Sequence, residues 1–323
     1  MYRKFYGLVR NPFEISPDPY FFYPTPRHNE ALANLNYGVQ RRKGVVVVTG
    51  EVGTGKTLLV RCLLDSLNRS QIAFAYVFNP RLSVPDFLRY MLTDLRLPMN
   101  GRTKSEMLAH LNSYLIARFR RGTTAVLVVD EAQLLSWELL EEIRLLTNLE
   151  TSQQKLLQIV LVGQPELDRR LDSPHLRQLK QRVGLRCSLE PLGVDELKGY
   201  ILRRLELAGA NSHGGSIFAE EAIAAVHRYS RGIPRLINTL CENSLVSGYA
   251  KQAKQITQEI VQEVAADFRL DMPSVVPAEG LEDPESRKRA LKALFRMIED
   301  LDNGPGPEKP NDEPSLEAGV KTE

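Results

Sequence analysis

The chain has 323 residues and a formal net charge of +2 at pH 7, with 43% hydrophobic and 25% charged residues. This composition suits one large or two smaller globular domains plus a tail, and it gives no strong global field for nucleic acid or a membrane surface. Three distant cysteines (Cys62, Cys187, Cys241) point to a reducing compartment, the five histidines lack metal-ligand spacing, no signal-peptide core follows Met1, and no run approaches the ~20 apolar residues that span a bilayer.

The chain opens with aromatics and proline together: Phe5, Tyr6, Asn11-Pro12-Phe13, then Pro17-Asp18-Pro19-Tyr20-Phe21-Phe22-Tyr23-Pro24. Proline argues against regular structure and the aromatics argue against disorder, so a packed, irregular wrap is expected. From His28 to Arg42 the spacing of Leu32, Leu35 and Val39 predicts a helix. Val45-Val46-Val47-Val48-Thr49 follows as a short β-branched run, a buried strand. It leads into Gly50-Glu51-Val52-Gly53-Thr54-Gly55-Lys56-Thr57 and then an apolar helix from Leu58.

That eight-residue stretch is a Gly-x4-Gly-Lys-Thr phosphate-binding loop, or P-loop. Its glycines let the backbone curl so that several N–H groups face one anion, and the helix beginning near Gly55 adds its N-terminal dipole. Lys56 would reach the β- and γ-phosphates of ATP, and the Thr57 hydroxyl would ligate Mg²⁺.

Strands and helices then alternate. Ile72–Phe78 predicts a strand and Pro85–Leu95 a helix. Thr103-Lys104-Ser105-Glu106 is a capping-box signature for a helix to about Arg120. Ala125-Val126-Leu127-Val128-Val129 is a buried strand ending at Asp130-Glu131, and Ser136 caps a helix through about Glu150. Leu157–Val162 is a strand ending at Gly163-Gln164-Pro165, and a short strand is expected near Cys187-Ser188-Leu189. Strands with continuous apolar runs, separated by helices, predict a parallel sheet covered on both faces.

After Pro191 the strands stop. Val194–Leu207, Phe218–Ser230, Pro234–Ala250 and Thr257–Phe268 all predict helices. Past Met272 the composition turns to Pro, Glu, Asp and Gly, a mostly disordered tail with one amphipathic stripe of Leu291, Leu294, Ile298 and Leu301. The expected division is a wrap and helix at 1–43 contributing to the nucleotide pocket, an α/β core at 44–190, a helical lid at 191–270, and a tail at 271–323 with a short helix near 284–302.

Asp130-Glu131 supplies what a P-loop lacks for hydrolysis. Asp130 would hold the Mg²⁺ hydration shell, and Glu131 would orient and polarise the attacking water. Gln164, at the end of the next strand, can sense the γ-phosphate or fix that water. Arg182, just before the last core strand, suits an arginine finger aimed at a neighbouring subunit's γ-phosphate, with Arg177 as its rival. Arg235 sits in the first turn of a helix that Pro234 begins, where the dipole disfavours a cation and so implies an external anion.

Gly50–Thr57, Val126–Glu131, Gly163-Gln164-Pro165-Glu166-Leu167, Gln181-Arg182-Val183 and Gly232-Ile233-Pro234-Arg235 together resemble an AAA+ ATPase. The N-terminal pattern, Phe5-Tyr6-Gly7-Leu8…Asn11-Pro12-Phe13…Pro17-Asp18-Pro19…His28-Asn29-Glu30-Ala31-Leu32, is similar to the general secretion pathway protein A group and the secretion ATPases of exosortase loci. The resemblance implies a five-stranded parallel sheet of order 5-1-4-3-2, a helical lid, and a homo-oligomer with ATP sites between subunits. It implies that Arg235 is sensor 2, that Gln164 sits at sensor 1, that Gly50 to Leu58 embrace the phosphates, and that Pro12, Phe13 and nearby residues line the adenine pocket. The leading expectation is a cytoplasmic Mg-ATPase that remodels a protein partner of secretion or envelope machinery, reaching the inner membrane only through that partner. The alternatives are a DNA-associated ATPase of the transposition target-selection type, for which the basic clusters Arg41-Arg42-Lys43, Arg118 with Arg120-Arg121, Arg203-Arg204 and Arg287-Lys288-Arg289 are offset by acids and read as solvated surface, and a low-turnover nucleotide switch.

Overall fold

The protein is described here as a computed structural model covering residues 1–98, 103–210 and 217–270. The tail and its stripe near 284–302 lie outside the described residues.

The chain begins with one helical turn, α1 (Tyr2–Phe5), a local order that the proline-rich composition did not predict. An irregular stretch leads to α2 (Pro26–Gln40), which Thr25 caps through the His28 N–H, with proline at the first helical position. Then come β1 (Val45–Gly50), α3 (Lys56–Arg69), β2 (Ala73–Val77), α4 (Val84–Asp94), α5 (Lys104–Arg120) and β3 (Ala125–Val129). The capping box at Thr103 and Glu106 is present in both directions. Next are α6 (Trp137–Leu146), β4 (Leu157–Gly163), two short helices α7 (Glu166–Leu171) and α8 (Arg177–Lys180), and β5 (Val183–Leu189). Four helices close the described chain: α9 (Val194–Leu207), α10 (Glu220–Ser230), α11 (Pro234–Ala250) and α12 (Gln258–Asp267).

The strands form one sheet of order β2-β3-β4-β1-β5, parallel throughout, which is the expected 5-1-4-3-2 read from the other edge. Every residue of β1 and β4 is buried, because both strands are paired on each side and helices cover each face. A buried valine side chain contributes ~1.5–3 kcal/mol, so the four valines of β1 are satisfied only at a central position. The edge strand β5 behaves differently, with alternate residues exposed. It runs longer than its sequence suggests because pairing with β1, from Val183 against Val45 to Leu189 against Gly50, supplies what propensity lacks. Helix α6 stops at Leu146, short of the expected Glu150. Thr147 closes it, and Glu150 instead bridges antiparallel to Lys155 in the turn that feeds β4.

Three apolar clusters hold the fold. One lies under α4, α5 and α6 on one face of the sheet, and a second under α2 and α3 on the other. The third joins α9 to α12 with Tyr2, Tyr6, Leu8, Phe13 and Phe21 of the N-terminal segment. The opening aromatics are therefore core residues of the helical set. Phe13 is wholly buried, edge-to-face with Phe218 at 6.1 Å.

Helix α2 also braces the P-loop. The buried His28 ring receives the Thr25 hydroxyl at Nδ1 (2.7 Å), and its Nε2 donates to the Thr54 carbonyl (3.2 Å). Burial holds this imidazole below its ordinary value, against a weaker opposing pull from the Thr54 carbonyl. The unfolded chain therefore takes up the proton first, at ~6.5, and folding stability falls as pH drops through that value towards the lower folded one. Thermal melts of the wild type and His28→Gln at pH 7.5 and pH 5.5 should show a smaller acid loss in the variant. Equal losses would remove His28 from the acid response.

Candidate functional site

The carboxyl ends of β1, β3 and β4 converge on one side of the sheet. The P-loop leaves β1 there, Asp130-Glu131 leaves β3, and Gln164 follows β4. The P-loop turns at Gly53 (φ +84°) and Gly55 (φ +101°), a left-handed region that side chains disfavour. At Gly53 a Cβ would also stand 2.8 Å from the Arg235 Cβ, so a side chain there would push α11 away.

Lys56 opens α3 and is only 6% exposed. Its Nζ donates to the carbonyls of Gly50 (2.8 Å) and Glu51 (2.9 Å). Burial lowers its pKa, while the carboxylates of Glu131 and Asp130 pull the other way. Asp130 is 4% exposed, and burial raises its pKa. Its Oδ2 accepts from the Thr57 hydroxyl (3.3 Å) and the Tyr76 hydroxyl (3.2 Å), and its Oδ1 from the Glu131 N–H (2.9 Å). Glu131 itself holds φ +50°, an uncommon conformation for a residue with a side chain. Its Oε2 accepts from the Gln133 amide (2.6 Å) and, at 3.4 Å, from the Gln164 amide.

A cleft of about 370 Å³ opens over this floor. The P-loop lines one wall with Val52, Gly53, Gly55, Lys56, Thr57 and Leu58, and Glu131 stands at its edge. The second wall is Pro234, Arg235 and Asn238 of α11 with Tyr200 and Arg204 of α9, and the third is Glu14 to Pro17. The Arg235 N–H donates to the Gly53 carbonyl (3.2 Å), tying the start of α11 to the P-loop. The Arg235 side chain is exposed and lines the cleft, and its guanidinium has no hydrogen bond or ion pair among the described residues.

Lys56, Thr57, Glu131 and Arg235 thus line one space, with Asp130 hydrogen-bonded to Thr57 and Gln164 to Glu131. Pro12 and Phe13 do not line it. Phe13 is drawn into the helical core, and the Pro12 carbonyl accepts from Arg204 Nη1 (2.6 Å), so the next four residues form the wall. Arg182 is not at this cleft either. It precedes the opposite end of β5, where Val183 pairs with Val45, and its Nη1 donates to the Thr147 hydroxyl (2.6 Å). Arg177 is exposed, without a hydrogen bond or ion pair among the described residues.

Several cleft residues escape the sequence reading. Arg204 is 4% exposed and lies over the rings of Phe21 (5.1 Å) and Tyr200 (4.9 Å). The Tyr200 hydroxyl donates to Asn238 Oδ1 (2.8 Å), and Asn238 Nδ2 donates to the Glu14 carbonyl (3.4 Å). The available signal was a charge four residues after Tyr200, on the same helix face as Leu197 and Ile201. Gln133, a polar residue between Ala132 and Leu134, is a second omission.

The chemistry of these groups fits a nucleoside triphosphate with Mg²⁺. Lys56 is a buried cation held only by carbonyls, and the Thr57 hydroxyl and Asp130 carboxylate are hard oxygen donors at one point. Among the described residues no group of three or more His, Cys, Asp or Glu is arranged to hold a metal, so a Mg²⁺ ion here would share its ligands with phosphate and water.

Residues 39–171 match the family described as AAA domain. Over 257 residues, 79% of the chain, the sequence is 45% identical to general secretion pathway protein A of Aeromonas hydrophila. The match takes in 46% of that protein, so the chain spans about half its length. Cdc6p of Pyrobaculum aerophilum has a similar structure (TM-score 0.62, 20% identity, 80% of this chain and 72% of that one). So does the Drosophila ORC structure (TM-score 0.56, 21% identity, 80% and 66%) and the RuvB branch migration motor of Thermotoga maritima (TM-score 0.50, 22% identity, 86% and 78%). These structural likenesses show the fold alone. With its P-loop, its sheet order and its matched domain, the chain has the AAA+ P-loop NTPase fold, and over most of its length it is similar to general secretion pathway protein A.

Proposed function

We propose that this protein binds and hydrolyses Mg-ATP and uses the cycle to remodel a protein partner of secretion or envelope machinery. The observation that carries the reading is the cleft that Lys56, Thr57, Glu131 and Arg235 line together, with Asp130 hydrogen-bonded to Thr57 and the P-loop hydrogen-bonded to the first turn of α11. Lys56 neutralises phosphate charge, and Arg235 meets the same anion from the helical side. Thr57 and Asp130 would hold Mg²⁺, which when bound would offset charge on the phosphoryl oxygens. Glu131 orients a water and accepts its proton.

The similarity to general secretion pathway protein A supports a secretion or envelope partner. No helix among the described residues is long and apolar enough to cross a membrane, which is compatible with a cytoplasmic location and membrane contact through that partner. The position of Arg182 supports ATP sites shared between subunits of a homo-oligomer. It lies at the far end of the sheet from its own P-loop, and the Thr147 bond occupies just one of its five donors, which leaves the others for a neighbouring chain's nucleotide.

Lys56→Ala should weaken ATP binding by ~100-fold or more in equilibrium titration, since the cradle loses its buried charge. Wild-type affinity would sink the phosphate-cradle assignment. Glu131→Gln should keep ATP affinity and lose turnover by ~10²-fold or more, and undiminished turnover would remove Glu131 from the chemistry. Arg182→Ala should bind ATP normally yet hydrolyse ~10³-fold more slowly, and adding Glu131→Gln subunits, which still carry Arg182, should restore turnover. No restoration on mixing would argue against action between subunits, and the same loss in Arg177→Ala alone would move the role to Arg177.

A further inference from the structure

Gln133 lies in the single 3₁₀ turn Ala132–Leu134 that follows β3. Nothing in the turn requires a polar side chain there, since Ala132 is buried and Leu134 faces solvent. The amide nevertheless turns inward and is used at both ends. Its Nε2 donates to Glu131 Oε2 at 2.6 Å, and its Oε1 accepts from the Gln164 backbone N–H at 3.1 Å. One side chain therefore ties the acid at the end of β3 to the end of β4.

The surroundings are shaped to admit it. A Cβ at position 163 would stand 2.8 Å from Gln133 Oε1, so the absence of a side chain at Gly163 is what lets the amide approach. The Gln133 carbonyl accepts from Arg170 Nη1 (2.5 Å), and that guanidinium lies over the Trp137 ring (4.9 Å), which fixes the turn from outside. Glu131 sits at φ +50°, a conformation that costs on the order of 1 kcal/mol or more and persists only where neighbours hold it.

The donors fall on one oxygen only. Glu131 Oε2 takes both amide contacts, while its Oε1 carries no bond among the described residues, and Glu131 lines the cleft. A charge-assisted bond of 2.6 Å is strong enough to set a rotamer. We propose that Gln133 is a positioning residue for ATP hydrolysis. It holds the Glu131 carboxylate by Oε2, leaves Oε1 to accept the proton of the attacking water, and locks that carboxylate to the β4 end where Gln164 stands. The inference rests on the reading of Glu131 as the group that activates water.

The test is a double-mutant cycle on the full chain, with kcat, ATP affinity and melting temperature measured for the wild type, Gln133→Leu, Glu131→Ala and the pair. Gln133→Leu should lower kcat by about tenfold or more while ATP affinity stays within about twofold. In the Glu131→Ala background the same change should alter the residual rate by less than about twofold, because its effect runs through the missing carboxylate. Gln133→Glu, of equal size but without the donor, takes its place in the cycle should the leucine variant not fold. Unchanged kcat in Gln133→Leu beside a disabled Glu131→Ala overturns the positioning role alone, as does an equal loss in both backgrounds. Full turnover in Glu131→Ala overturns the hydrolytic reading and this inference with it.

Discussion

Lys56 carries its charge at 6% exposure, against two carbonyl oxygens and without an ion pair among the described residues. A buried ammonium left without a countercharge costs several kcal/mol, and two carbonyl dipoles offset only part of that. Glu131 and Asp130 are near enough to raise its pKa against burial, yet each is committed elsewhere: Asp130 to the Thr57 and Tyr76 hydroxyls, Glu131 to two glutamine amides. The site is thus built around a deficit of negative charge at one point. The left-handed turns at Gly53 and Gly55 lie between the Gly50 and Glu51 carbonyls and the ammonium that α3 presents at its first residue, and fold the loop back onto it.

The same deficit links the two halves of the cleft. Arg235 brings a second unpaired cation to the first turn of α11, where the helix dipole already favours an anion. A triphosphate would offset both cations at once, and no internal carboxylate could do so without filling the cleft. The link is mechanical as well as electrostatic. The Gly53 carbonyl takes the Arg235 N–H, and the P-loop packs so closely on α11 that a methyl group at Gly53 would collide with it. On the proposed reading, a change in phosphate charge on hydrolysis is felt directly at the start of a helix whose other side is packed into the third apolar cluster.

Much of this was legible in the sequence, and the parts that were not share a cause. The central strands announce themselves because burial on both faces demands unbroken runs such as Val45 to Val48. The caps at Thr103 and Ser136 are local hydrogen bonds between residues three apart. The P-loop is contiguous, so its chemistry can be read directly. By contrast, β5 owes its length to β1, more than a hundred residues earlier, and α6 ends early because the turn into β4 claims Glu150. Pro12 and Phe13 were expected in the pocket, but their destinations are Arg204 and Phe218, which no local pattern announces. The bond from Gln133 to Glu131 spans two residues and still gave no signal, since its meaning depends on Gln164 and on the bare backbone at Gly163.

That dependence on distant partners explains why the N-terminal segment is more than a covering. Arg204 holds the Pro12 carbonyl, Asn238 reaches the Glu14 carbonyl, and Phe13 is locked between them in the helical core. Residues 14–17 are therefore held between α11, through the Glu14 carbonyl, and α3, whose Arg61 donates to the Pro17 carbonyl, while α2, the next helix in the chain, packs on the sheet. His28 of α2 in turn braces the P-loop at Thr54. One short stretch of chain thus spans both sides of the cleft, anchored to the helical set at its start and to the P-loop at its end. The stretch between Pro17 and Pro24 is itself packed on the helical set, with Phe21 buried in its cluster and the Tyr23 ring edge-to-face with Tyr200 at 6.0 Å.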